Sequence, residues 1–542
     1  MKRNVPVIIV CLIAAALFVP WLGETCFYSK GEPREAVVAM TMLQDGNWIL
    51  PQSYGADIPY KPPLLAWLIA VFSAVLNGGT VNEFTSRLPS ALAAIAMLVA
   101  GWRVVAAKAG ERRAWVMTLV TMTSFEVFRA AVACRVDMVL TACMVGAIYA
   151  LYTMRGHPWR VLWAVLLLSG ATLSKGPVGA LLPCAAMGLY MLLRGDNFLR
   201  TFLTLTGICA AAFILPALWY YAAWLQGGDD FIRLALEENI GRLTGSMSYD
   251  SHVNPWWYNL QSIVAGMLPW TVPVLIALCY RSVRTHIRSL KLDRGLPLMA
   301  WTVGLTVLVF YCIPESKRSV YLLPCYPFMA YGAAWVLGHV SATRLMRAWS
   351  VILAIIALLA PGVLIAASYG LFPGVTLMTP RWWQWPFAVL PMLVALWWLL
   401  TRRISRTGLK SALGLTYVIL LAYNAAYMPM VLNARSDIQA AEIIEQTVPE
   451  DAPIVTYIPE DRLMRYYSIN FYLGDRLRRV ERLEDVPADA WLLTSPADSL
   501  AGTMLTPKST DTRRPVILVH PNAVIKKNIA TTIQDDRTHY NN

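Results

Sequence analysis

Residues 28–87 read YSKGEPREAVVAMTMLQDGNWILPQSYGADIPYKPPLLAWLIAVFSAVLNGGTVNEFTSR, and the reading of this stretch decides the fold. Its first half is dense in charge, Gly and Pro, and it follows the apolar run 5–22. A loop of this length beside a membrane is usually functional rather than connective. Within it, 35–44 reads as a short amphipathic helix. The run 64–76 is only about half a bilayer long, which predicts an interfacial or re-entrant helix rather than a span.

Working outward, 57% of the 542 residues are hydrophobic, 15% are charged, and the mean hydropathy is +0.50. That composition excludes an ordinary soluble domain and fits a polytopic membrane protein. The formal net charge of +13 sits in short clusters between apolar runs. Such clusters read as cytoplasmic anchors and not as a nucleic-acid surface. No nucleic-acid-binding motif and no internal repeat is present. The 21 Trp and 24 Tyr suit interfacial belts. The nine Cys are scattered and form no C-x-x-C, so neither a zinc site nor a disulfide framework is indicated. Lys2 and Arg3 precede a first apolar run with no small-residue cleavage site, which predicts an uncleaved span.

A span needs roughly 17–25 apolar residues, and the basic clusters then set direction, giving about 13 spans with the N-terminus inside. The clusters alternate consistently only if 64–76 is not a span. In this scheme 24–87 is a first outer loop and 226–255 a second. Glu32, Lys61, Arg135, Asp137, Lys175, His252, Glu315 and Lys317 all fall on the outer side. From 434 to 542 the composition turns polar, with a helix-like run 437–446 and strand-like runs 454–458, 490–495 and 516–520. This predicts a small α/β domain outside the membrane after a 1–433 transmembrane domain. Residues 531–542 read as a frayed end.

The chemistry-bearing groups cluster on that outer side. The Glu32 carboxylate is suited to orienting or deprotonating an acceptor, and the Arg34 guanidinium to holding a phosphate bidentately. Solvation just outside a span is the plainer alternative for both. Tyr60–Lys61–Pro62–Pro63 fixes an ammonium on a rigid extended segment. It is suited to a lipid phosphate, or to snorkelling above the helix that follows. Arg135 and Asp137, in C-R-V-D-M, read either as a local ion pair or as groups facing the same cavity as Glu32. Lys175 in S-K-G-P and the cluster Glu315–Ser316–Lys317–Arg318 recur at other outward ends. That many basic sites on one face favour an anionic ligand. His252 precedes N-P-W-W-Y, where a structural role competes with acid–base or metal chemistry.

Taken in order, G-E-P-R-E-A, D-G-N-W-I-L-P, Y-K-P-P-L-L-A-W, S-R-L-P-S-A-L, R-V-D-M, S-K-G-P, H-V-N-P-W-W-Y…L-P-W and E-S-K-R-S-V-Y-L-L-P-C-Y-P resemble the bacterial aminoarabinose lipid A transferases. These are GT-C glycosyltransferases, in the superfamily of the protein O-mannosyltransferases. The resemblance runs from residue 28 to about 327, and the later spans and outer domain match only in layout. It implies a GT-C fold with outer-face juxtamembrane helices. It also implies inverting transfer from a polyprenyl-phosphate sugar to lipid A or another envelope acceptor, at the periplasmic face of a bacterial inner membrane. Carried onto these positions, Glu32 and Asp137 are the catalytic carboxylates. Arg34, Lys61, Lys317 and Arg318 bind the donor phosphate, and Tyr60, Arg135, Lys175, His252, Glu315 and Tyr321 bind substrate. An acceptor hydroxyl would need a base, whereas an acceptor phosphate would need only orientation.

The chain departs from the family pattern twice. Gly31 stands where Asp is expected, and Tyr60 where Glu is frequent. The second change withdraws the local motif's support for a divalent metal, so no cofactor is assigned. A protein or glycan O-glycosyltransferase of the same fold is the nearer alternative. A lipid-linked-sugar transporter is the alternative of another class, disfavoured by outer-end charges and the lack of a repeat.

Overall fold

The computed structural model describes residues 5–59, 61–241, 253–289, 293–341, 343–372, 377–378, 380–458, 465–494, 502–505 and 516–520. Tyr60, His252 and residues 531–542 lie outside the described residues.

Among the described residues, ten α-helices come first: α1 (Val5–Phe18), α2 (Gly31–Asp45), α3 (Leu64–Leu76), α4 (Glu83–Ala109), α5 (Glu111–Thr123), α6 (Phe125–Ala131), α7 (Val136–Tyr152), α8 (Pro158–Lys175), α9 (Val178–Arg194) and α10 (Phe198–Leu236). The α3 bounds are those the sequence gives. The helix expected at 35–44 starts earlier, because Pro33 in the first turn loses no hydrogen bond there and Glu32 suits the positive end of the helix. It ends at Gly46 in the left-handed region, φ 68°. α4 opens on a capping box, with Asn82 and Thr85 each bonding the other's backbone N–H.

Two long apolar runs are broken. Run 115–132 divides at Ser124 into α5 and α6, and α6 meets α7 at 113°. Run 256–280 divides into Tyr258–Gly266 and Thr271–Leu278, bent by 106°. The run 320–338 begins as a 3₁₀ helix, Ser319–Cys325, and continues as Tyr326–His339. Among the described residues, five helices are long and apolar enough to cross a membrane, or up to seven if each bent pair is one span. Five further apolar helices are shorter, α1 and α3 among them.

After the last apolar helices comes a five-stranded mixed sheet of order β2-β1-β3-β5-β4, with β1 Ile454–Tyr457, β2 Leu477–Val480, β3 Trp491–Thr494, β4 Thr503–Leu505 and β5 Val516–Val519. β1 runs parallel to β2 and β3, whereas β5 is antiparallel to β3 and β4. Helices Ile438–Thr447 and Tyr467–Tyr472 accompany it, and Ile444, Ile469, Leu473, Leu477 and Leu493 share its core.

This unit is bonded to the segment between α1 and α4. Tyr472 accepts from Phe27 N at 2.8 Å and donates to Glu83 Oε1 at 2.9 Å. Asp475 accepts from Thr41 Oγ1 at 3.0 Å and Tyr54 N at 3.1 Å. The D-G-N-W-I-L-P segment is tied down by Trp67 Nε1, which donates to Trp48 O at 2.7 Å, and by Trp219 Nε1, which donates to Ile49 O at 3.1 Å.

Candidate active site

Four charged groups converge around α2, Lys61, the starts of α4 and α7 and the end of α8. The first is Glu32 with Arg87, both fully enclosed. Arg87 Nε and Nη2 donate to the two Glu32 oxygens at 2.8 and 3.3 Å, and Cys134 N donates to Oε1 at 2.9 Å. The remaining Arg87 nitrogen donates to Leu22 O at 2.7 Å and to Thr25 O. Burial alone would push the Glu32 carboxyl up, but Arg87 outweighs it and holds it below the usual range. Glu32 therefore fixes α2 against α4 and the α6–α7 bend. With its oxygens committed and only 3% of its surface exposed, the geometry gives the proton-accepting role expected of it no support.

The second group is less enclosed than the first. Glu35 accepts from Lys61 Nζ and, at 3.3 and 3.1 Å, from Arg34 Nε and Nη2. Burial, then the like charge of Arg34, brings Lys61 down to about 8, against the pull of Glu35 and Asp137. The Glu35 carboxyl, pushed up by burial, is held below its ordinary value by Lys61 and then Arg34.

The third group is Asp137 on the first turn of α7 with Lys175, the last residue of α8. Lys175 Nζ donates to Asp137 Oδ1 at 2.5 Å and sits 3.9 Å from the centre of the Tyr321 ring. A carboxylate at a helix start and an ammonium at a helix end each complement the local dipole. Lys61 and Arg318 are within electrostatic reach of Asp137. The sequence alternative that pairs Asp137 with its neighbour Arg135 is thus replaced by a pairing between helices. The Arg135 guanidinium instead lies over Gly31, 3.4 Å from where a β-carbon would be.

The fourth group is Glu126 with Arg129 on α6, bonded at 2.5 Å, and Ser319, which donates to Glu126 at 3.2 Å. Lys317 is buried and donates to Asn254 O at 3.1 Å, so it secures the segment that precedes Trp256. Glu315 is exposed, and its backbone carbonyl accepts from Asn254 N at 3.2 Å. Of the residues expected in the site, Arg34, Lys61, Arg135, Asp137, Lys175, Arg318 and Tyr321 are brought together. Glu32 is enclosed by Arg87 and Cys134 N, and Lys317 and Glu315 bond Asn254. Glu35, Arg87, Glu126 and Arg129 were not singled out. The signal for the last pair was available, since F-E-V-F-R places two charges inside an apolar run. Among the described residues, no three His, Cys, Asp or Glu side chains gather as a metal site.

Comparison with known proteins converges on the same stretch. Residues 60–220 match the family described as dolichyl-phosphate-mannose-protein mannosyltransferase. The structure of ArnT from Cupriavidus metallidurans bound to undecaprenyl phosphate superposes with a TM-score of 0.71 at 19% identity, over 95% of this chain and 98% of that one. The chain has the GT-C fold, and its sequence is similar to aminoarabinose transferases. The undecaprenyl phosphate-α-4-amino-4-deoxy-L-arabinose arabinosyl transferase of Pectobacterium atrosepticum is 26% identical over 62% of this chain and 60% of its own length. That of Pseudomonas fluorescens is 28% identical over 60% and 57%. This transferase-like chain thus spans about three fifths of the curated transferases it matches. An uncharacterised Aquifex aeolicus protein is 24% identical over 72% of this chain and 76% of its own.

Proposed function

We propose that this protein is a glycosyltransferase that moves a sugar from a polyprenyl-phosphate donor to lipid A or another envelope glycolipid at the periplasmic face of an inner membrane. The observation that carries the reading is the cation group Lys61–Arg34, in a fold shared with an arabinosyltransferase bound to a polyprenyl phosphate, set beside the Asp137–Lys175 pair. Thirteen spans, an inside N-terminus and an outside C-terminal α/β domain from residue 434 belong to the same reading and rest on the basic clusters.

Transfer breaks the sugar–phosphate bond through an oxocarbenium-like state while the acceptor oxygen attacks the opposite face of the sugar. The departing phosphate gathers negative charge, and fixed cations at Lys61 and Arg34 stabilise it, with Arg318 beyond Asp137. Tyr321 and Lys175 line the approach. Asp137 takes the acceptor proton when the acceptor is a hydroxyl, and orients the acceptor or a sugar amine when it is a phosphate. The match of 60–220 to the mannosyltransferase family keeps a protein or glycan hydroxyl as the second acceptor class.

The test is turnover in detergent with polyprenyl-phosphate sugar donors and a panel of acceptors. Release of polyprenyl phosphate by the wild type, lost in Lys61→Ala and Asp137→Asn variants that remain folded, is the expected result. Donor movement between leaflets of a vesicle with no bond cleavage across the panel would overturn the reading in favour of a transporter.

A further inference from the structure

Glu35 has no task in the mechanism above, yet it joins two cations. One oxygen, Oε1, receives Lys61 Nζ and Arg34 Nε and Nη2, while the side chain is only 11% exposed. Two like charges in so small a space repel each other, and a carboxylate between them offsets that repulsion. The placement is also transmitted. Arg87 fixes Glu32, Glu32 fixes the start of α2, and Glu35 lies one residue beyond Arg34 on the same helix. Lys61 belongs to no helix or strand, and its bond to Glu35 ties it to α2.

We propose that Glu35 is a positioning residue of the donor site, which keeps Lys61 charged and aimed at the phosphodiester of a polyprenyl-linked sugar without touching the bond that breaks. The inference rests on the glycosyl transfer proposed above. The largest charged influences on Lys61 are Arg34, Glu35 and Asp137. Removing Glu35 removes both an attraction and a hydrogen bond that favour the ammonium, and so shifts the balance towards burial and Arg34. Lys61 then gives up its proton in the neutral range. A phosphodiester keeps one negative charge across that range, so the pH dependence of donor use reports the lysine.

The experiment uses the full-length protein in detergent as wild type, Glu35→Gln and Glu35→Asp. Glu35→Ser removes the same charge should Glu35→Gln not fold. Competitive acetylation of amines across pH 6–10, read by mass spectrometry on the Lys61 peptide, gives the lysine's midpoint without any need for turnover. Donor kcat/KM is measured over pH 6–9. The expected midpoint is near 8 in the wild type and lower by about one unit or more in Glu35→Gln, which at pH 8 takes the charged fraction of the lysine from about one half to about one tenth or less. Transfer by Glu35→Gln should fall about fivefold or more at pH 8 and recover towards wild type at pH 6, with Glu35→Asp restoring both. An unchanged Lys61 midpoint, or a loss of transfer equal at every pH, would overturn the proposal. A wild type that uses no donor would overturn the glycosyltransferase reading instead, and the acetylation result would still decide the role of Glu35.

Discussion

Asp137 and Lys175 meet at 2.5 Å, carboxylate to ammonium, although 38 positions separate them. The pair joins the start of α7 to the end of α8. Each side chain is partly enclosed, so removing one partner leaves the other charge poorly solvated. Asp137→Asn and Lys175→Met should each cost about 1–3 kcal/mol of stability. The double variant should regain melting temperature, since no charge is then left alone. Transfer should stay depressed by on the order of 10²-fold in all three, the scale for a fixed electrostatic group at a reacting centre. A double variant with wild-type turnover would reduce the pair to scaffolding.

Glu32 and Arg87 predict the opposite division between stability and rate. Both side chains are almost fully enclosed, and leaving a buried guanidinium unmatched costs about 3–5 kcal/mol. Glu32→Gln should therefore lower the melting temperature, while any fraction that stays folded keeps a near-normal KM for the donor. The held-down carboxyl also gives a sign for pH. Its stabilisation is complete above the unfolded value of about 4.3 and is lost as pH falls through the folded value. The gap in stability between wild type and Glu32→Gln should close on acidification below about pH 4. A gap that widened there would contradict the assignment.

Lys61, drawn down to about 8, should make donor use fall as pH rises through that value in the wild type. Lys61→Arg stays charged throughout, so its profile between pH 7 and 9 should be flat even if its maximum is lower. A wild-type profile that is equally flat would mean the ammonium is not needed.

The sequence alone revealed Lys61, because two prolines follow it and leave it little freedom. It revealed the bounds of α3 because a run of one residue class ends abruptly at both sides. Arg34 was legible and Glu35 was not, although they are neighbours. The value of Glu35 comes from a partner 26 positions away, and adjacency in sequence says nothing about that. The breaks at Ser124 and between Gly266 and Thr271 were hidden because hydropathy stays high across them. Among the strands, the two missed are β2 and β4, which are the edges of the sheet. Edge strands are short and tolerate charge, as Arg478 and Arg479 show, so they lack the apolar run that identified β1, β3 and β5.

The C-terminal sheet unit also yields a prediction. Asp475 sits at φ 61° after Gly474, a turn held by its own carboxylate, which accepts from Thr41, Tyr54 N and Asn470. Two of those donors belong to the segment between α1 and α3, which also carries Arg34, Glu35 and Lys61. Asp475→Ala leaves Tyr54 N and Thr41 without that acceptor in a closed setting, at about 1–3 kcal/mol. The effect should spread along the loop. Amide exchange should rise over residues 41–57 as well as 470–478, and KM for the donor should increase by several-fold with little change in kcat. Exchange that rose only within 470–478, with donor KM unchanged, would mean that the sheet packs against the loop without helping to shape the site.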